Sequence, residues 1–368
     1  MIGAAAVACG ANADTVTTNG VTWTYTVVDS SASPVTVKLG NGSAACIATD
    51  TSIDASKIPW TFEKDGTAYK VTQIAAYAFK SCSGLTGRLT IPEDVTSIAT
   101  QAFMGSRIEH VARLGKNTGM PNYNTFRSCT NLKGVYAPGA DKVTSGTQSY
   151  TGFSINNTFQ DSTNLKIVLL GYYTQMEGNT SNTLLNNVKN CKVFLPANGT
   201  GNKKWQSFTM NLGSSATGSK TIYYGPNRDL DLVVDDDAGT ITFWPTTETA
   251  LVDVLEAAPT FKDEFGWNVK VNVTNILEAT SGAITAEMLN AVEINTLMLT
   301  FKVNTQEQLD SVLAAVPTSS HTILAIDASD SKVELTVPQG REVYVRLSGE
   351  GRNGKYTPKI KGLIISFF

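Results

Sequence analysis

The sequence predicts a mainly β protein with some α structure, in which a solenoid of short repeats follows an N-terminal β cap and precedes a duplicated β-α-β module. A recurring apolar motif between Val71 and Cys191 predicts the solenoid. Alternating strand patterns before it predict the cap, and a longer repeat beyond residue 222 predicts the duplication. A chain of 368 residues is long enough for two or three domains.

The motif of the solenoid is a large apolar residue with a small residue three places later and another apolar residue six places later. Its copies are Phe79/Cys82/Leu85, Phe126/Cys129/Leu132, Phe159/Ser162/Leu165 and Val188/Cys191/Phe194, with a partial copy at Phe103/Ser106/Ile108. The spacing between copies lies in the range of about 20 to 50 residues that is typical of repeat architectures. Stacked coils would share one core, so we expect the phenylalanines to form a ladder.

A short strand follows each copy of the motif. The residues predicted to point inward are Leu89 and Ile91, Val135 and Ala137, Ile167 and Leu169, and Val193 and Leu195. Pro92, Pro138 and Pro196 close three of these strands, where a backbone donor is not required.

The first 13 residues resemble the end of a secretory signal peptide. A run of small apolar residues is followed by Ala11-Asn12-Ala13, an A-x-A cleavage pattern. The usual basic segment is missing, so we expect either an upstream start or an accidental resemblance. A poor lipobox ending at Cys9 is an alternative in which the chain carries a lipid anchor, and export with cleavage is preferred.

Residues 14–70 are predicted to form the β cap. Val21 to Lys38 alternates as a strand pair, and Asp65-Gly66 separates two further strands as in a tight hairpin. A solenoid needs such a cap to cover the apolar face of its first coil.

Composition limits the classes of function. A net charge of −3 argues against broad attraction to nucleic acid or anionic lipid. No run approaches the roughly 18 apolar residues of a transmembrane helix, so no membrane span is predicted. The charged share is low at 17%, and Thr, Asn, Ser and Gly take its place, which suits strands, turns and extracellular surfaces.

Cysteine and histidine do not indicate a catalytic or metal site. Five cysteines occur without a C-x-x-C motif, and three of them fall on the repeat motif, so we predict buried small hydrophobes rather than disulfides or metal ligands. The only histidines, His110 and His321, lie far apart, and a Cys–His or Ser–His pair is not expected.

The repeats resemble a known family. Ile74-x3-Ala78-Phe79-x2-Cys82-x2-Leu85 and the following Leu89-Thr-Ile91-Pro92 look like the BspA-type leucine-rich repeat. The resemblance covers roughly residues 56–200, of which 71–200 form the expected leucine-rich-repeat solenoid, and it is strongest in the first two coils. It implies an exported bacterial cell-surface or secreted protein that acts in adhesion and partner binding, with no catalytic residues.

A Gly/Asn/Ser-rich stretch at 201–221 is predicted to be a linker, and two β-α-β modules follow at 222–292 and 293–368. The pattern that begins at Thr242 recurs at Thr300, a constant offset of 58 residues. Each copy is interpreted as a strand, a helix with Thr247 or Thr305 as its N-cap, and a second strand. Both helices are expected to stop before a proline, Pro259 or Pro317.

The C-terminal tail is similar to the opening of right-handed parallel β-helices of the pectate-lyase-like type. The similarity rests on the capping-helix pattern followed by strands such as Val333-Glu-Leu-Thr-Val337 and Val343-Tyr-Val-Arg-Leu. Because Gly362-Leu-Ile-Ile-Ser-Phe-Phe368 would leave an exposed strand edge, we expect the natural chain to continue. The alternative function is therefore the targeting portion of a carbohydrate-active β-helix enzyme whose catalytic coils lie beyond residue 368.

An acidic cluster between Asp229 and Asp237 has two interpretations. Closely spaced aspartates can bind calcium, but the spacing lacks the EF-hand order. Asp-Asp-Ala-Gly between apolar runs is also ordinary hairpin chemistry, which we prefer. A carboxylate pair for glycoside hydrolysis is not indicated.

The predicted function is non-catalytic binding of a host or matrix macromolecule, an extracellular protein or glycan, without cofactor, metal or nucleic acid. The binding surface is placed on polar side chains between the core positions: Arg88, Arg107, Glu109, His110, Arg113 and Tyr136. Core packing is the preferred role for the aromatic residues, although sugar stacking or protein contact is a second possibility for Trp60, Tyr123, Tyr136, Tyr172, Tyr173, Trp205, Tyr223 and Tyr224.

Overall fold

The structure is a computed structural model. It describes residues 13–116, 118, 124–138, 152–154, 157–170, 175–177, 185–194, 221–223, 229–273, 277–279, 284, 288, 291–296, 299–302, 305–315, 325–327 and 344–346. The chain divides into two units, residues 1–222 and 223–368. It is mainly β with few helices, as the sequence predicts.

The regular secondary structure described in the first unit consists mainly of short strands. They are β1 Asp14–Thr18, β2 Val21–Asp29, β3 Val35–Leu39, β4 Ile53–Asp54, β5 Thr61–Lys64, β6 Thr67–Ile74, β7 Leu85–Thr86, β8 Leu89–Thr90, β9 Ser97–Ile98, β10 His110–Arg113, β11 Leu132–Ala137, β12 Gly152–Ser154, β13 Ile167–Leu170, β14 Gln175–Glu177, β15 Lys192–Phe194 and β16 Thr221–Tyr223. A short 3₁₀ helix at Ala55–Lys57 follows β4.

The N-terminal strands form a sheet in the order β1-β2-β3-β6-β5, and β9 also pairs with β6. The predicted hairpin is confirmed, since β5 and β6 pair antiparallel around Asp65 and Gly66, whose φ angles are 52° and 74°. Two left-handed residues define a type I′ turn, which matches the twist of the flanking strands.

This sheet curls so that its two edge strands meet. Lys64 on β5 lies 2.6 Å from the carboxylate of Asp14 on β1, although three strands separate them in the sheet order. Tyr25 lies under this junction, 1% exposed, with its ring centroid 5.0 Å from that of Phe62 and 5.5 Å from that of Tyr69. The curl therefore encloses a small aromatic cluster.

A second sheet contains one strand from each of five successive repeats, followed by β16, in the order β8-β10-β11-β13-β15-β16. The described pairings from β8 to β15 are all parallel. One register row is wholly buried, with every side chain at 0% exposure: Leu89, Ala112, Val135, Val168 and Val193. This row is the inner face of the sheet, and it gives the repeats a continuous core.

The prediction for β13 was wrong by one residue. Ile167 and Leu169 were expected to point inward, but they align with Gly134 and Tyr136 on the opposite face, while Val168 takes the inner row. Both faces of β13 are apolar and buried. The alternation of apolar and polar residues therefore cannot predict which residues of this strand face inward, and only the pairing with neighbouring strands determines its register.

The predicted phenylalanine ladder is confirmed. Phe79, Phe103, Phe126 and Phe159 are each 0% exposed, and their ring centroids lie 4.9, 5.3 and 6.0 Å apart in sequence order. The rings are close to parallel, at 4°, 5° and 18°. At the N-terminal end Trp23 meets Phe79 edge-to-face, with centroids 6.4 Å apart. The ladder thus starts against a side chain of the N-terminal sheet.

Backbone hydrogen bonds join the coils beside this ladder. The amide of each phenylalanine donates to the carbonyl just before the next one: Phe79 to Ala102 at 2.6 Å, Phe103 to Thr125 at 3.0 Å, and Phe126 to Thr158 at 3.0 Å. The turn that supplies these bonds places a left-handed residue two positions before and two positions after each phenylalanine. These residues are Tyr77/Ser81, Gln101/Gly105, Asn124/Ser128 and Asn157/Asp161.

The last coil is shifted by three residues from its predicted register. The amide of Asp161 donates to the carbonyl of Asn186 at 2.9 Å, as the amide of Ser128 does to Gln160 in the coil before. Gln160 directly follows Phe159, so Leu185 occupies the phenylalanine position. The predicted Val188/Cys191/Phe194 assignment is therefore wrong.

In the observed register Val188 takes the cysteine position and Cys191 the leucine position. The amide of Val188 donates to the carbonyl of Leu185 at 3.1 Å, matching the bond from Ser162 to Phe159 at 3.1 Å. The motif spaces its core positions by three residues, so a shift of three still places apolar residues on apolar positions. For this reason the sequence pattern alone could not distinguish the two registers.

The second unit contains the strands β17 Leu230–Asp235, β18 Thr240–Pro245, β19 Asn268–Val273, β20 Leu277–Ala279, β21 Glu293–Thr296, β22 Leu299–Lys302, β23 Ala325–Asp327 and β24 Tyr344–Arg346, with the helices α1 Glu248–Thr260 and α2 Gln306–Ala315. Two four-stranded sheets result, β17-β18-β19-β21 and β20-β22-β23-β24. The strands on either side of each helix pair in parallel, so each copy of the duplication is a β-α-β unit, as predicted.

Both predicted helix N-caps are confirmed. The hydroxyl of Thr247 accepts the Ala250 amide at 3.2 Å, and the hydroxyl of Thr305 accepts the Gln308 amide at 3.2 Å. The first helix does not stop before Pro259 but includes it and continues as a π-helical turn at Phe261–Phe265. Burial of Phe261 and Phe265 favours this extension over the local effect of proline. Pro317, the stop predicted for the second helix, lies outside the described residues.

Truncating one ring in the middle of the ladder is expected to destabilise the first unit strongly. Phe103→Ala removes contacts with the rings on both sides, so we expect the free energy of unfolding to fall by about 3–5 kcal/mol. Chemical denaturation followed by circular dichroism measures this change. Phe62→Ala, at a half-buried position of the N-terminal sheet, is the matched control and should cost clearly less. Equal losses would contradict a dominant role for the ladder.

A substitution at Gly105 tests the left-handed turn positions. Gly105 has a φ of 69°, and an added Cβ would come no closer than 3.7 Å to any neighbouring atom, so backbone conformation alone decides the cost. Gly105→Ala should destabilise by about 1 kcal/mol. Gly105→Asn should cost less, because asparagine tolerates this conformation and occupies the corresponding position at Asn187, with a φ of 60°. Thermal unfolding compares the two variants, and a larger loss for asparagine would contradict this assignment.

Candidate binding surface

Four of the six residues predicted for the binding surface lie near the N-terminal edge of the parallel sheet: Arg88, Arg107, Glu109 and His110, called here the edge group. Arg88 and Arg107 are exposed, while Glu109 and His110 are half-buried. The amide of Glu109 donates to the carbonyl of Gly87 at 2.8 Å, which brings the second coil alongside the first. His110 opens β10 with a left-handed φ of 57°.

Asp54 belongs to this region, although no sequence pattern predicts it there. Its carboxylate accepts the Ser56 amide at 2.8 Å and caps the 3₁₀ helix. Hydrogen bonds from Ser56, followed by the charges of Lys57 and His110, lower the pKa of Asp54. A Cβ at Gly87 would clash with this carboxylate, so glycine leaves room for Asp54 in its observed position.

Arg113 and Tyr136 form a separate pair on the outer face of the sheet. They are register partners on β10 and β11, and the guanidinium lies 5.9 Å from the centre of the tyrosine ring. Glu93 approaches Arg113 at 3.8 Å and also accepts the Lys116 amide. Tyr136 is only 5% exposed. Its ring therefore orients Arg113 through a cation–π contact and offers little surface of its own.

A column of buried thiol and hydroxyl groups runs beside the phenylalanine ladder. The thiol of Cys129 donates to the carbonyl of Phe103 at 3.1 Å, and the hydroxyl of Ser162 donates to the carbonyl of Phe126 at 2.7 Å. The same hydroxyl accepts the Cys129 amide at 3.1 Å. These bonds satisfy carbonyls inside the core, so the small polar residue of the motif has a structural role.

The described cysteines are buried thiols outside any disulfide, as predicted: Cys46, Cys82, Cys129 and Cys191. Burial raises the pKa of Cys82 to about 12 and that of Cys129 to about 12. Such thiols are protonated at neutral pH and are poor nucleophiles. Cys9 and His321 lie outside the described residues.

The acidic stretch forms the hairpin of β17 and β18. Its strands pair antiparallel, and the carboxylate of Asp235 accepts the Ala238 amide at 3.0 Å in the turn. Within the described part of the chain, no three His, Cys, Asp or Glu side chains converge as a metal site would require. The hairpin interpretation is confirmed for Asp235, and calcium binding by this stretch remains a hypothesis.

Two of the aromatic residues considered as binding groups have described side chains. Trp60 is half-buried and Tyr136 is buried. The others lie outside the described residues or have undescribed side chains. In the described ranges, no helix is both long enough and apolar enough to cross a bilayer.

The repeats match the model of a known family. Residues 66–168 match the BspA type leucine rich repeat region, in six copies. This agrees with the resemblance read from the motif and covers the phenylalanine ladder from its first to its last ring. No curated protein matches the chain.

Two solved structures are similar to the chain at low identity. The crystal structure of the pneumococcal vaccine antigen PcpA has 14% identity and a TM-score of 0.35, over 96% of this chain and 99% of that one. A leucine rich cell surface protein from Faecalibacterium prausnitzii A2-165 has 12% identity and a TM-score of 0.30, over 90% of this chain and 84% of that one. Neither similarity is close enough to support an argument about fold or function.

The buried thiols predict a loss of stability at alkaline pH. The folded-state pKa of Cys82 and Cys129 is about 12, above the ordinary value of 9.0. The unfolded chain therefore releases these protons first, and the free energy of unfolding should fall between about pH 9 and 12. Denaturation at several pH values should give a shallower fall for Cys129→Ala than for the unaltered chain. Parallel curves for the two would contradict the assignment.

Proposed function

We propose that the chain is a non-catalytic cell-surface or secreted protein whose repeats form a leucine-rich-repeat solenoid that binds an extracellular macromolecule. The observation that carries the proposal is the division between buried and exposed positions in each repeat. The motif residues Phe, Cys or Ser, and Leu are buried throughout the first four coils. The residues that vary from coil to coil, such as Arg88 and Arg107, are exposed.

This division suits recognition more than catalysis. An enzyme needs titratable groups that converge in a cleft with shifted pKa values. The groups with raised pKa values here are a core tyrosine and core thiols, and their position inside the packing explains those shifts. Exposed side chains on a regular scaffold instead provide an extended surface that changes from repeat to repeat.

Localisation at the surface or outside the cell is supported by two features of the chain. The BspA-type repeat region is one, and the apolar start followed by Ala11-Asn12-Ala13 is the other. Residues 14–70 are proposed to cap the solenoid, which the contact between Trp23 and Phe79 supports.

A second candidate is the targeting portion of a carbohydrate-active β-helix enzyme. The observation that favours it is the sheet β20-β22-β23-β24, whose strands pair parallel in chain order. Parallel strands added one after another are typical of the opening of a β-helix. Binding of the chain to pectin or another plant polysaccharide, with the polysaccharide left uncleaved, would favour this candidate.

A binding assay on the edge group tests the proposed function. The full chain is applied to an array of purified extracellular-matrix proteins and glycans, and each partner found is measured again with Arg107→Glu. Reversing an exposed charge at an interface should weaken binding about tenfold or more, mainly through slower association.

Lys262→Glu provides the matched control, because it makes the same charge change at an exposed position of the second unit. It should bind as the unaltered chain does. If Arg107→Glu binds as tightly as the unaltered chain and the second unit alone binds equally well, the repeats do not form the binding region. Thermal unfolding of both variants confirms that neither change acts through stability.

A further inference from the structure

We propose that Lys133, Lys166 and Lys192, contributed by the last three described coils, form a lysine row that binds a sulfated polysaccharide. This inference rests on the proposed function, since it names the class of partner and the site on the repeats.

Backbone hydrogen bonds place the three lysines beside one another. The amide of Lys166 donates to the carbonyl of Lys133 at 2.8 Å, and the amide of Lys192 donates to the carbonyl of Lys166 at 2.8 Å. Adjacent strands are about 4.8 Å apart, so the row crosses the sheet edge in even steps. Lys166 is exposed and the other two are half-buried, which suits long side chains whose stems pack while their ammonium groups reach water.

Positive charge predominates in this part of the molecule. Residues 126–194 contain six cationic side chains and three carboxylates, and the described ranges 126–138, 157–170 and 185–194 contain five of these cations and one of these carboxylates. That carboxylate, Asp161, lies 3.4 Å from Arg127 and so offsets that arginine. Three row lysines and the exposed Lys189 supply the rest of the charge, on a chain whose net charge is −3. A concentrated positive region on an acidic protein attracts an anionic partner.

The neighbouring polar residues favour a polysaccharide over an acidic protein. Exposed Thr130, Thr163, Asn164 and Asn190 lie close in sequence to the row, and they offer hydroxyl and amide groups to sugars. Among the described residues of these coils, no tyrosine, tryptophan or phenylalanine is exposed, although such residues anchor most protein interfaces. Lysine also acts as a flexible point charge, whereas recognition of single carboxylates or phosphates favours the bidentate geometry of arginine.

The distribution of charge along the sheet edge favours one position for the ligand on the repeats. Glu109 lies in the coil before Lys133, and Asp54 lies further toward the N-terminus on a strand that pairs with β7. Glu109 and Asp54 thus offset the cations Arg88 and Arg107 of the first two coils, whereas the row itself contains lysines alone. A linear polyanion would therefore bind more strongly across coils three to five than across the first two coils.

Binding of the full chain to immobilised heparin tests the proposal, with surface plasmon resonance at several salt concentrations. The triple variant Lys133→Ala/Lys166→Ala/Lys192→Ala should bind on the order of a hundredfold more weakly, since each lysine near an anionic surface contributes roughly fivefold. Lys262→Ala is the single-site control on the second unit and should bind normally. The single variant Lys166→Ala, at the exposed position, gives a readout that does not depend on folding of the triple variant.

Each outcome decides between the alternatives. Strong binding to heparin, weak binding to chemically desulfated heparin and poor competition by double-stranded DNA would support the proposal. Equal binding by the triple variant, or equal competition by DNA, would overturn it. If the chain does not bind heparin but still binds an array partner through the edge group, the lysine row is rejected as a binding site and the proposed function is retained.

Discussion

The stacking of one phenylalanine per coil is the interaction on which the first unit depends. A single coil has too few apolar side chains to bury its own inner face, so each coil is stable only against its neighbours. The rings of Phe79, Phe103, Phe126 and Phe159 lie between 4.9 and 6.0 Å apart and nearly parallel. Each ring therefore has a partner of the same shape on one or both sides, and the inner row of the sheet continues the same core.

The backbone of the turn is organised around this stack. Two left-handed residues flank each phenylalanine and aim its amide at the carbonyl of the next coil. A left-handed conformation costs about 1–2 kcal/mol for most residues, and several coils reduce that cost by using glycine, asparagine or aspartate. Ser81 and Gln101 show that the conformation is kept even where the residue does not favour it. The hydrogen bonds between coils and the stacked rings offset the strain.

The sequence predicted much of this fold because the core motif is periodic and its residues are chemically distinctive. Phenylalanine at the repeat position predicts the ladder, the Asp-Gly pair predicts the hairpin, and threonine before a helix predicts each N-cap. Each of these residues has few alternative roles in its context. The register of the last coil was missed because Leu185, Val188 and Cys191 are interchangeable apolar residues at the motif's own spacing. Ile167 and Leu169 were assigned to the wrong face because a strand that is buried on both faces shows no alternation of apolar and polar residues.

The binding surface was only partly accessible from sequence. Exposed charges such as Arg88 and Arg107 follow from their place between core positions, whereas the approach of Asp54 to Gly87 depends on pairing between strands distant in sequence. The lysine row could not be predicted from the sequence for the same reason. Lys133 and Lys166 are 33 residues apart in sequence and one coil apart in space, so only the register brings their charges together.

Native-state hydrogen exchange of the phenylalanine amides is the most direct test of a shared core. Phe79, Phe103 and Phe126 each donate their amide to the next coil. If the stack holds the coils as one cooperative unit, these three amides should exchange with the same free energy of opening and the same denaturant dependence. Three different opening free energies, falling from one coil to the next, would show that the coils unfold separately and would contradict this account.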